Sequence, residues 1–127
     1  MKVNDITEAV IGAAIKVHRA LGPGLLESAY IHRLCYELAL RKIPFQLELP
    51  LPVVYKGLKL DCGYRLDMVV AGAVVVELKA IERVAPVHEA QLLTYLRMGG
   101  WKAGLLINFN VPVLRDGIVR RVLGFEE

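Results

Sequence analysis

Cysteine is nearly absent: Cys35 and Cys62 lie 27 residues apart, and there is no Cys-x-x-Cys pair. That argues against both a disulfide framework and a zinc knuckle. Long hydrophobic runs are missing too. The longest, Met68 to Val76, has nine residues and is interrupted by Ala71-Gly72-Ala73, far short of the roughly 20 that span a bilayer. The N-terminal segment turns acidic at Asp5 and Glu8 before any apolar stretch develops, so no signal peptide is expected. These features predict a soluble, cytoplasmic protein with no membrane partner. The chain also lacks blocks of like charge, internal repeats, low-complexity stretches and linkers. It has no Gly-x-Ser-x-Gly, no phosphate-binding loop and no defensible Ser-His-Asp order, which removes acyl transfer and nucleotide hydrolysis. His18, His32 and His88 have no mutual metal spacing and read as packing or surface residues.

What is present is a large apolar fraction. Of 127 residues, 55% are hydrophobic and 23% charged, so disorder is excluded and one domain spanning residues 1–127 is expected. Net charge is +3 with a pI of about 9.0, which permits a polyanionic partner without requiring one. The mean hydropathy of +0.44 is high for so small a soluble chain, and a self-association surface such as a homodimer interface would account for it.

Asp5 with Glu8 has the form of a capping box, and Ile6, Val10, Ala13, Val17 and Leu21 recur at helical spacing, predicting a first helix. Gly22-Pro23-Gly24 breaks it. A second helix carries Leu26, Tyr30, Leu34 and Leu38 on one stripe, has Arg41-Lys42 in its last turn and ends at Ile43-Pro44. From Phe45 the period becomes two, with Phe45, Leu47 and Leu49 alternating with polar residues, then Val53-Val54-Tyr55 before a Lys56-Gly57 turn. Leu58 to Val70 reads as a second strand, Ala71-Gly72-Ala73 as a tight turn and Val74 to Ala80 as a third strand. Pro86 opens a helix over Val87 to Met98, closed by Gly99-Gly100. Ala103 to Phe109 reads as a buried strand and Ile118 to Leu123 as an edge strand. The order ααβββαββ predicts a mixed α/β fold in which an antiparallel meander feeds a helical crossover.

A hairpin centred on Gly72 pairs Asp67 with Glu77 and puts Lys79 on the same face, while Leu78 points into the other layer. Like charges directly opposite each other are destabilising, so two acids beside a Val-Val-Val run need a reason. A divalent cation supplies one: Mg²⁺ is held by one or two carboxylates, waters and substrate phosphate oxygens. Asp67 and Glu77 would be those ligands, joined by the Leu78 backbone carbonyl, with Lys79 orienting or deprotonating an attacking water. A one-residue slip in register would put Asp67 on the wrong face. The same three residues, taken alone, equally describe a solvent-facing ion-pair cluster.

The element order, with Asp67 on one strand and Glu77-Leu78-Lys79 on the next, resembles the core of the PD-(D/E)XK nuclease superfamily. Gly24-Leu25-Leu26-Glu27-Ser28-Ala29-Tyr30, preceded by Val17-His18-Arg19-Ala20-Leu21-Gly22-Pro23, resembles the GxxExxY family placed in it. The resemblance runs from the first helix through Phe109; Leu66 stands where the superfamily's motif has Pro. It implies a restriction-endonuclease-like core (αβββαβ) with an extra N-terminal helix, and a helix acid, Glu27, that completes the metal site directly or through water. Tyr30 follows Glu27 at i+3 and reads as a core residue. Gln91 and Tyr95, at i, i+4 on the helix after Lys79, resemble the QxxxY pattern of the superfamily's RecB-like branch, where this helix helps position the site. Tyr95 reads equally as core.

The reading that follows is a small Mg²⁺- or Mn²⁺-dependent nuclease acting on nucleic acid. DNA is favoured over RNA by analogy with the superfamily, and specificity is lent by substrate shape or a protein partner. The competing readings are a noncatalytic nucleic-acid- or protein-binding accessory module retaining the nuclease-like fold, and an enzyme on another phosphorylated substrate with a closed pocket. Arg65, Arg83, Arg97 and Lys102 read as a phosphate-tracking surface or as solvated faces, Trp101 as a base-stacking ring or a corner anchor, and Cys35 as a buried thiol.

Overall fold

The computed structural model of the chain describes residues 1–124. Two helices, α1 (Val3–Leu21) and α2 (Glu27–Leu40), lead into strand β1 (Phe45–Pro50) and a short hairpin, β2 (Val53–Tyr55) with β3 (Leu58–Leu60). Strands β4 (Arg65–Val70) and β5 (Val74–Lys79), helix α3 (Pro86–Gly99), strand β6 (Ala103–Asn108), a 3-10 turn (Leu114–Gly117) and strand β7 (Ile118–Val122) follow. Five strands form one sheet in the order β1-β4-β5-β6-β7, antiparallel except that β5 and β6 run parallel. The parallel pair needs a crossover, and α3 is that crossover. The predicted mixed α/β fold is the observed one, with helices on both faces of a mixed sheet.

Burial sorts the side chains into two layers. Ile6, Val10 and Val17 of α1 and Tyr30, Leu34 and Leu38 of α2 pack on Met68, Val70, Val74, Val76, Leu78, Leu105 and Ile107. On the opposite face Leu92 and Leu96 of α3 pack on Leu66, Val69, Val75 and Leu106. Alternation along β5 and β6 feeds both layers, and that is why these strands read as continuous apolar runs.

Three local expectations are corrected. Asp5 does not cap α1; the helix begins at Val3, and Asp5 sits in its first turn with Oδ2 accepting the Lys2 N–H at 3.3 Å. It is the acidic half of the capping box instead of the cap. Arg41 and Lys42 fall just past the end of α2, where Arg41 folds back on Glu37 at 3.1 Å. The expected strand Leu58–Val70 is two: a turn at Asp61–Gly63, with the Gly63 N–H donating to Asp61 Oδ1 at 3.0 Å and Gly63 at φ 80°, separates β3 from β4. The β2–β3 hairpin thereby leaves the main sheet.

Candidate metal and phosphodiester site

The β4–β5 hairpin turns through Ala71 and Gly72, both at positive φ (53° and 64°), the backbone twist that a tight hairpin requires. From there Val70 pairs with Val74, Val69 with Val75 and Met68 with Val76. The register is the expected one, and Asp67 faces Glu77 one step beyond the last ladder pair. There the two strands part, while β5 stays paired to β6 as far as Lys79–Asn108. Side chains take over from the ladder: the Leu78 N–H donates to Asp67 Oδ2 at 2.9 Å, and the Asp67 N–H to Glu77 Oε2 at 3.4 Å. Alternation along β4 also breaks here, since Leu66 packs in the α3 layer with Val69 whereas Met68 packs in the other. On the neighbouring strand Glu48, which would pair with Asp67, has φ 51°. Strain of this kind clusters where a site is held against the regular pattern.

A cavity of about 120 Å³ opens beside the parted strands, lined by Arg65, Asp67, Glu77, Lys79, His88, Gln91, Leu92, Tyr95 and Leu106. Asp67, Glu77, Lys79, Gln91 and Tyr95 are thus brought together. Leu78 contributes its backbone N–H to Asp67, and its side chain lies in the opposite layer as expected. Glu27 and Tyr30 are not brought to this cavity. Glu27 is the exposed first residue of α2, in the layer opposite α3. Tyr30 is fully buried and stacks on Phe109 with ring centres 4.4 Å apart. Its hydroxyl donates to Gly22 O at 2.6 Å and accepts from Leu25 N at 3.1 Å, so it ties down the Gly22-Pro23-Gly24 loop.

The electrostatics of the cavity are unusual. Glu77 is 7% exposed, and its Oε1 is buried with no hydrogen-bond partner. Burial pushes its carboxyl up to about 9, with the hydrogen bond and the charge of Asp67 adding to the shift and Lys79 offsetting part of it. Burial also raises the Tyr95 phenol, assisted by the charges of Glu77, Tyr64 and Asp67. A buried carboxylate oxygen without a partner, beside a second carboxylate, fits a hard divalent cation held by two protein oxygens and otherwise by water or phosphate. Among the described residues no three His, Cys, Asp or Glu side chains gather closely enough to hold a metal, so neither Glu27 nor His88 adds a third direct ligand to the pair.

Sequence reasoning missed two residues. His88 lines the cavity, and its Nδ1 accepts the Ala85 N–H at 2.9 Å, which leaves Nε2–H as the donor of the neutral ring. The backbone contact fixes the ring, and the signal that could have found it is the i, i+3, i+7 spacing of His88, Gln91 and Tyr95, which puts the three on one helix face. Asn108, 2% exposed, accepts from Ile81 N (3.1 Å) and Asn110 N (3.2 Å) through Oδ1 and donates to Ile81 O (2.9 Å) through Nδ2. With the Phe109 N–H donating to Lys79 O at 2.9 Å, it holds the chain leaving Lys79. Trp101 packs against the α3 layer as a corner anchor, and His18 is a buried packing residue bonded to Val111 O at 2.8 Å.

Among the described residues no helix is long and apolar enough to cross a membrane. Comparison with curated proteins and with solved structures finds no match. A family model described as the PD-(D/E)XK nuclease superfamily matches residues 4–122, nearly the whole described chain and every strand and helix around the cavity. Members of that superfamily generally use divalent metals. The chain belongs to the PD-(D/E)XK nuclease superfamily.

Proposed function

We propose that this protein is a Mg²⁺- or Mn²⁺-dependent nuclease that hydrolyses phosphodiester bonds in nucleic acid, with DNA as the favoured substrate. The observation that carries the reading is the facing pair Asp67 and Glu77, with Lys79 beside them, around a small cavity in which one Glu77 oxygen is buried and unpaired. The bound cation would polarise the scissile phosphate and lower the pKa of a water. Asp67 and Glu77 would hold it, Asp67 oriented by the Leu78 N–H. Lys79 orients the attacking water and offsets charge that builds on the phosphate oxygens. Water attacks phosphorus and gives up a proton to solvent, the bond to the leaving sugar oxygen breaks, and that oxygen takes a proton back from solvent. The Nε2–H of His88 and the amide of Gln91 are donors suited to the nonbridging oxygens. The Tyr95 phenol stays protonated at neutral pH. Glu27, which does not line the cavity, is left to act through water molecules.

The test is metal-dependent cleavage of single-stranded, duplex and branched DNA, with RNA alongside, by the wild type and by Lys79→Ala and Glu77→Gln proteins purified identically. Cleavage that falls at least about 100-fold in both variants is expected for loss of a proton-handling or ligand group. Equal cleavage in all three proteins identifies a contaminant. Absence of both cleavage and metal binding sinks the enzyme and leaves the accessory-module reading.

A further inference from the structure

Beside the metal cavity runs a second and larger concavity of about 360 Å³, lined chiefly by Val53, Tyr64, Val87, Thr94, Tyr95 and Met98. Gln91 and Tyr95 line both, so the two adjoin across these side chains. A surface helix ordinarily turns its apolar stripe to the core and a polar one to solvent. Helix α3 departs from this. Leu92 and Leu96 are buried in the core, yet Val87 and Met98 stand 60% and 37% exposed on a further stripe, one that ends against Tyr64. The Tyr64 and Tyr95 rings lie 6.4 Å apart, tilted by 53°, and leave Tyr64 47% exposed toward the opening. Polar groups among the lining residues are few: the Gln91 amide, the Thr94 hydroxyl and the phenol hydroxyls of Tyr64 and Tyr95, which between them offer donors and acceptors. Flat apolar walls, aromatic rings and a few edge-reading polar groups are what a planar heteroaromatic ligand requires. Arg65 and Lys79 supply positive charge at the adjoining cavity and none lines this one. With the cation proposed at Asp67 and Glu77, those two bases suit a phosphate in the small cavity, and the uncharged lining of the large one suits the neutral base of the same strand.

We infer that this concavity is a nucleobase subsite that takes one unpaired base flanking the scissile phosphate. The inference rests on the nuclease reading above and narrows it to a substrate shape. A base inside an intact duplex is stacked and paired and must be extruded before it can enter, at a cost that a single-stranded, looped or frayed strand does not bear. The protein therefore prefers strands with an unpaired nucleotide at the cleavage point. Stacking tolerates any base, so the preference is for shape over sequence.

The experiment uses short oligonucleotides carrying 2-aminopurine at one position, single-stranded or in a perfect duplex, bound by the full chain in Ca²⁺. Emission of the unpaired probe is expected to change on binding. Tyr64→Ala, which removes a wall, and Thr94→Trp, which fills the space, are each expected to weaken single-strand binding about tenfold or more. Tyr64 is half exposed, and circular dichroism checks that both variants remain folded; Tyr64→Phe, which keeps the ring, should bind as wild type. Duplex binding as tight as single-strand binding, no emission change, no binding at all, or wild-type affinity in both folded variants each overturns the subsite. Parallel cleavage in Mg²⁺ separates the two claims. Lys79-dependent cleavage that is indifferent to Tyr64→Ala and Thr94→Trp leaves the nuclease and removes the subsite. An emission change without cleavage leaves the subsite and removes the nuclease.

Discussion

At the residue scale, Glu77 dominates. A buried acid whose folded-state pKa stands near 9, above its ordinary 4.5, stays protonated in the metal-free protein at neutral pH. On unfolding it releases that proton between those two values, so the unfolded state binds fewer protons there and stability falls as pH rises through the window. Thermal melts of metal-free protein between pH 5 and pH 9 are expected to show that decline. Glu77→Gln should flatten it, because a neutral amide replaces the titrating group. Added Mg²⁺ is expected to raise the melting temperature most at the alkaline end, since it binds the ionised form. His88 makes a second residue-scale case. Its Nδ1 contact to Ala85 resembles a helix cap, so His88→Ala should cost about 1 kcal/mol of stability. If Nε2–H also serves the phosphate, cleavage at saturating substrate falls at least about tenfold. A stability loss with unchanged turnover confines His88 to capping.

At the scale of elements, the site depends on where α3 and the β6 end sit. Arg121 on β7 pairs with Glu89 of α3, and Leu92 and Leu96 anchor the helix in the core, so His88, Gln91 and Tyr95 reach the cavity as one rigid row. The β5–α3 connection is held by Asn108 across 27 positions of sequence. Asn108→Ala leaves the Ile81 N–H without its partner and the Ile81 C=O with only the longer 3.4 Å bond from Asn110 Nδ2, and a loss of about 1–3 kcal/mol in denaturant unfolding is expected. Cleavage should fall with it, because Lys79 lies two residues before Ile81. These tertiary contacts explain what was legible in the sequence. The Gly72 turn and the Asp67–Glu77 pairing follow from period-two alternation and a closure over about ten residues, so they could be read directly. The Asn108 clamp links segments 27 positions apart through backbone groups, and no periodicity encodes it.

At the scale of the molecule, the mean hydropathy of +0.44 reflects apolar side chains both inside and on the surface. Besides the interior, apolar side chains stand out on the β2–β3 hairpin, where Val54, Tyr55 and Leu58 are each more than 60% exposed. Exposed apolar clusters of this kind mark contact surfaces, and the proposal of a homodimer now rests on this hairpin. Light scattering on concentrated protein is expected to give twice the 14.1 kDa of the chain, returning to the single-chain mass in Tyr55→Asp. A monomeric wild type removes that proposal and leaves the site untouched. Modest net charge (+3) also predicts a shallow salt dependence of nucleic-acid binding, set by the few phosphates that Arg65, Lys79 and neighbouring cations can reach.

The sequence by itself determined the two leading helices, the crossover helix between the β5 and β6 strands, the tight turn at Gly72, the facing of Asp67 by Glu77 and the placement of Lys79 on their side. Each is a consequence of local chain geometry: apolar spacing, Gly and Pro at breaks, and the alternation of a strand. Tertiary structure alone decided that Glu27 and Tyr30 lie in the layer away from the cavity, that β2 and β3 leave the sheet, and that Asn108 enters the site's support. It also decided how deeply Glu77 is buried and which of its oxygens is left unpaired. Those outcomes depend on which layers cover which face of the sheet, and solvent exclusion is a property of that packing, invisible in any stretch of sequence taken alone.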